Sequence, residues 1–78
     1  MGNSQLYDQQ AMQEALRRSL HSYYTTISTF MVSSGLKYGS AKRYLDSLCQ
    51  GDDARFHTYK EGNTRIYAVK KKYQEEFK

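Results

Sequence analysis

The residues able to do chemistry in this chain are almost all cations. Between Arg17 and Lys72 stand eleven Lys or Arg against four acids (Asp46, Asp52, Asp53, Glu61), so this span carries +7 while the full chain carries +4. The remaining acids sit toward the ends: Asp8 and Glu14 on one side, Glu75 and Glu76 on the other. Cations so concentrated attract a polyanion, either nucleic acid or an acidic surface; the competing explanation is solubility alone. Three clusters stand out: Lys37, Lys42 and Arg43; Lys60 and Arg65; and Lys70, Lys71 and Lys72.

Other chemistry is not encoded. His21 and His57 are isolated, and neither has Cys or carboxylate neighbours at the spacing of a catalytic or metal-ligand set. The single Cys49 cannot form a disulfide within the chain and has no zinc-ligand companions, so no metal is expected. Asp52-Asp53 reads as a connecting loop, and Gly35 and Gly39 as turn and cap residues rather than a phosphate cradle. No enzyme, cofactor or small-molecule substrate is expected. No aliphatic or aromatic run exceeds four residues, far short of a membrane span, and residues 1–20 lack a secretory apolar core. A cytoplasmic, nucleoid-associated location is the expectation.

Three amphipathic segments must position these cations. Met12, Leu16, Leu20 and Tyr23 recur along one helical face, predicting helix 1 from about Asp8 to Tyr23 or Tyr24, after a loose arm at 1–7. Thr25 or Thr26 caps helix 2, which runs from Ile27 to about Ser34. Its inward residues are Ile27, Phe30 and Met31, and Gly35 follows in the C′ position. Leu36 to Gly39 reads as a turn, Ser40 as a cap, and 41–50 as helix 3, with Ala41, Leu45 and Leu48 inward. Beyond Asp53 the pattern turns to β: 55–60 and 64–70 are rich in β-branched and aromatic residues around Glu61-Gly62-Asn63, a hairpin turn. A two-residue loop sets Phe56 with Tyr67 and Val69 on the core face; a three-residue loop sets it with Ile66 and Ala68. The tail at 73–78 carries Tyr73 and Phe77 at i and i+4, able to dock as a helical turn.

The stretch Ser34-Gly35-Leu36-Lys37-Tyr38-Gly39-Ser40-Ala41-Lys42-Arg43-Tyr44-Leu45 resembles the heart of a helix-turn-helix. Gly35 fills the turn glycine, Leu36 the apolar residue after it, and Ala41 the small residue of the second helix. With the hairpin as a wing, about two-thirds of the chain resembles the winged helix-turn-helix superfamily, particularly small regulators of phages, plasmids and bacterial operons. One departure is Met31, where such folds usually carry alanine at the helix crossing.

The resemblance implies a single domain over 1–78. Its fold class is α+β, mainly α: three helices followed by a two-stranded β-hairpin wing. It implies a sequence-specific double-stranded DNA-binding protein, a transcriptional regulator whose helix 3 enters the major groove while the wing at 55–70 meets backbone or minor groove. Site residues follow. Lys42 or Arg43 reaches guanine, Ser40 and Tyr38 bond phosphate, and Lys37 and Ser47 flank them on the turn and the outer helix face. Lys60 and Arg65 approach the duplex from the wing, and Lys70, Lys71 and Lys72 add sequence-independent attraction. Plainer roles compete: Arg43 pairing with Asp46, the lysine run as a solvated strand end, Tyr38 packing over its turn. A homodimer through helix 1 or the tail is one route to specificity. The alternative functions are a protein-interaction adaptor, such as a phage protein binding a host partner, and an RNA or single-stranded DNA module that stacks bases on Tyr59 and Tyr67.

Overall fold

The computed structural model describes residues 9–77. The arm at 1–7, Asp8 and Lys78 lie outside the described residues. The chain forms a small α+β fold: α1 (Gln9–Ser19), β1 (Tyr24–Thr26), α2 (Ile27–Ser34), α3 (Tyr38–Ser47), β2 (Phe56–Glu61), β3 (Thr64–Val69) and a C-terminal 3₁₀ helix (Lys71–Phe77). The sheet is antiparallel in the order β1-β3-β2. It therefore has three strands, where the sequence predicted two.

The additional strand arises where helix 1 was expected to continue. α1 stops at Ser19. Ser22 and Tyr23 then take left-handed conformations, with φ of 53° and 69°. They form the two central residues of a tight turn whose flanking residues, His21 and Tyr24, exchange both backbone hydrogen bonds. The turn redirects the chain so that Tyr24, Thr25 and Thr26 pair with Ala68, Tyr67 and Ile66. Leu20 and Tyr23 still pack against the core, which is why their spacing imitated two further helical turns.

Thr26 ends β1 and caps α2 in the same step. Its Oγ1 accepts from Thr29 N at 3.2 Å, replacing one hydrogen-bond partner that the first turn of a helix lacks. Gly35 closes α2 at φ 78° and donates its N–H to Met31 O, a conformation that costs glycine no Cβ clash. The connection to α3 is shorter than expected. α3 begins at Tyr38 behind Lys37, whose side chain makes no cap bond; Ser40 lies inside the helix rather than before it. α3 also ends earlier, at Ser47, and Leu48 and Cys49 follow in a turn.

The core lies between the helices and one face of the sheet. Met12, Ala15 and Leu16 from α1 meet Ile27 and Phe30 from α2, Ala41 and Leu45 from α3, and Phe56, Tyr67 and Val69 from the sheet. Phe30 stacks on Tyr44 with ring centroids 5.3 Å apart, which locks α2 to α3. Pairing of Glu61 with Thr64 leaves the two-residue loop Gly62-Asn63. Gly62, at φ 63°, occupies the first central position, where this loop class needs glycine. The open question of register thus resolves to Phe56, Tyr67 and Val69 facing the core.

The tail at 73–78 is not loose where it is described. From Lys71 to Phe77 it is a 3₁₀ helix docked against the start of β2, with Phe77 edge-on to Phe56 at 5.4 Å. Among the described residues no helix is long and apolar enough to cross a membrane.

Candidate nucleic-acid interface

Side chains alternate across a strand, so the register decides which cations share a side. Phe56, Thr58 and Lys60 lie on the face of β2 that packs on the helices, opposite Val69, Tyr67 and Arg65 of β3. Toward the tip this face runs past the helices, and its last pair is Lys60 beside Arg65. Both are exposed, and neither has an ion-pair partner among the described residues. Like charges directly opposite each other destabilise a hairpin, so this pair is an electrostatic load held out in solvent.

The hairpin tip adjoins the start of α3. Tyr38, 57% exposed, lines a shallow groove of about 230 Å³ together with Thr26, Ile27, Ser28, Asn63, Thr64 and Arg65. Three elements therefore converge: the first turn of α2, the first residue of α3, and the tip. Lys37 stands exposed immediately before Tyr38. Ser28, Asn63 and Thr64 were not anticipated. Their only sequence signals were a cap and a turn, which speak of backbone shape and not of ligand contact.

Along α3 the outer face is more nearly neutral than its composition suggests. Lys42 Nζ binds Asp46 Oδ2 at 2.8 Å, and Asp46 Oδ1 accepts the Tyr67 hydroxyl at 2.5 Å. Asp46 therefore straps α3 to the central strand. The bonds from Lys42 and Tyr67 hold its carboxyl below the ordinary carboxylate value, while burial, followed by the bond to Asp46, pushes the Tyr67 phenol upward. The competing Arg43–Asp46 pairing does not form; Arg43 is exposed and has no ion-pair partner among the described residues. It borders a hollow shared with Ser40, Tyr44 and Ser47. Ser40 is half-buried, and Ser47 Oγ donates to Tyr44 O at 2.6 Å.

The third cluster lies elsewhere. Six residues of β3 separate the tip from Lys70, roughly 20 Å of extended chain. Lys70 is half-buried, Lys71 is exposed, and Lys72 Nζ sits 5.2 Å above the Tyr73 ring. Two more cations are engaged at this end. Arg55 covers Tyr73 at 4.2 Å and binds Glu76 at 3.1 Å; Arg17 covers Phe77 at 5.1 Å and donates to Glu76 O at 3.0 Å. They border a cleft of about 430 Å³ between α1, α3 and the 3₁₀ helix.

The predicted site residues thus fall into three groups. Lys37, Tyr38, Lys60 and Arg65 gather around the groove; Ser40, Lys42, Arg43 and Ser47 run along α3; Lys70, Lys71 and Lys72 stand at the far end of the hairpin. The base-stacking pair Tyr59 and Tyr67 is not assembled, because Tyr67 is fully buried on the opposite face of the sheet from Tyr59. Comparison with protein-family models, with curated proteins and with solved structures finds no match to this chain.

Proposed function

We propose that the protein is a double-stranded DNA-binding regulator of winged-helix type, with α3 as the recognition helix and the β2–β3 hairpin as the wing. The observation that carries this reading is the groove at Tyr38, where the start of α3 and the tip bearing Arg65 adjoin, with Lys60 and Lys37, neither in an ion pair among the described residues, at its margins. A helix end and a cationic loop on one side of a domain suit a groove and its flanking phosphates. The element order, helix, strand, two helices and hairpin, supports the same reading. The third strand fastens the wing to the helix pair.

Within this reading Arg43 is the base-reading residue, since its guanidinium is free to present two parallel donors to guanine. Lys42 contributes less, because it must leave Asp46 to reach a base. Lys37, Tyr38, Lys60 and Arg65 hold phosphates and set orientation. Lys70, Lys71 and Lys72 act only on DNA that extends beyond the tip.

Selection of bound duplexes from a random pool, followed by anisotropy titration at two salt concentrations, tests the proposal. Enrichment of a motif is expected, with affinity falling by a log–log slope of about 0.9 for each phosphate neutralised. Arg43→Ala should relax preference at one position, at a cost of about 1–3 kcal/mol against the preferred base. A pool that stays random, with no duplex retained at moderate salt, rejects DNA reading and favours the adaptor role.

A further inference from the structure

The two edges of the sheet are treated differently. At β1 the outward backbone groups of Tyr24 are both taken by His21, at 2.8 and 3.1 Å, and Thr26 is committed to α2 as its cap. That edge is closed. At β2 the ladder phase can be worked out. Lys70 N donates to Arg55 O and Val69 N donates to Tyr23 O, each at 2.8 Å. Hydrogen-bonded and non-bonded pairs alternate along an antiparallel ladder. With the observed register, His57, Tyr59 and Glu61 therefore bond β3, while Phe56, Thr58 and Lys60 turn their N–H and C=O groups outward. β3 is the only element that packs extensively along β2 among the described residues. The strand holds six residues without proline, so the common guards against strand addition are few.

We propose that β2 pairs antiparallel with β2 of a second copy of this chain, about a two-fold axis through Thr58, joining two sheets into one of six strands. The register follows from the outward groups. Every centre from Phe56 to Lys60 brings some of them face to face, but those at His57 and Tyr59 engage only two of the three outward residues of each strand. A centre at Lys60 opposes two lysines, and one at Phe56 uses only half of the strand. A centre at Thr58 engages all three outward residues. It sets Thr58 against its own copy. It also sets His57 against Tyr59 in a non-bonded pair, where side chains approach most closely. His57 and Tyr59 already stack within the chain at 5.6 Å, so the pairing assembles a row of four rings on the outer face of the sheet. Self-complementarity of ring and hydrogen-bond phase at one register identifies the occupant as a second copy. The inference stands apart from the DNA reading.

Sedimentation equilibrium of the full chain should give twice the 9.1 kDa of the monomer. Tyr59→Lys, at an exposed position, should raise the dissociation constant by at least about tenfold with unchanged circular dichroism. In a Cys49→Ser background, oxidised Thr58→Cys should cross-link readily, because directly opposed, hydrogen-bonded residues have Cα atoms about 5.5 Å apart, within disulfide reach. His57→Cys, displaced from its own copy by two residues, should not. A chain that remains monomeric to ~100 µM, a dimer indifferent to Tyr59→Lys, or equal cross-linking at 57 and 58 would each overturn the proposal.

Discussion

The hairpin carries cations at both ends, and the two ends treat them differently. At the base, Arg55 and Lys72 lie over Tyr73, Arg17 lies over Phe77, and both arginines converge on Glu76. There charge holds the C-terminal 3₁₀ helix in place. At the tip, Lys60 and Arg65 oppose each other with no acid between them. Neither cation has an ion-pair partner among the described residues, which suits the phosphate contacts proposed for them. Counting lysines and arginines merges these two situations; only the partners separate them.

Experiments can break this contrast directly. The largest effect is expected from reversing the tip. Lys60→Glu combined with Arg65→Glu should weaken duplex binding by about a hundredfold in anisotropy titrations. Each single reversal should raise the urea midpoint slightly, because a like-charged cross-strand pair becomes an opposite one. Tyr67→Phe comes next. Loss of the hydroxyl that binds a carboxylate should cost about 2 kcal/mol of unfolding free energy, with no change in the urea m-value. At the base, Phe77→Ala should cost about 1 kcal/mol through the lost edge-on ring and cation contacts while leaving duplex affinity where it was. A fall in both would mean that the ends are not independent. The smallest effect belongs to Lys71→Ala, which should weaken all duplexes alike and lower the salt slope by about 1.

The strap between α3 and β3 has its own dependence on pH. Because Lys42 and Tyr67 hold the folded-state value of Asp46 below 3.8, its contribution is fully present above that pH. It is lost as pH falls through the lower folded value. The stability gap between the parent and Asp46→Asn, followed by chemical denaturation, should therefore be widest near neutrality and close as acidification carries the carboxyl through its lowered folded value.

Much of the frame was legible. Thr26 and Gly35 bracket α2 with cap chemistry that depends on neighbours in sequence, and the hairpin follows from β-branched runs around Gly62-Asn63. β1 was not legible, since three residues, Tyr24, Thr25 and Thr26, give no alternation to read. Leu20 and Tyr23 kept helical spacing while the backbone had already left the helix; their side chains reach the core from the connection after α1. Ser40 has the chemistry of a cap, yet α3 starts three residues earlier than that cap implies, behind Lys37. For the site, the residue types were visible and their availability was not. Arg17 and Arg55 find Glu76 across 59 and 21 residues, separations at which sequence patterns are silent. Spacing allowed Asp46 to take either Arg43 or Lys42; the Tyr67 hydroxyl, delivered by the fold, lies on the Lys42 side.

Thr26 deserves a last consequence. As the final residue of β1 and the cap of α2, it leaves no slack between sheet and helix pair, and the stacked Phe30 and Tyr44 rings remove what play remains at α3. Tip and helix end therefore behave as the fixed jaws of a caliper. A duplex seated as proposed would have to match their gap, because the jaws do not swing to meet it.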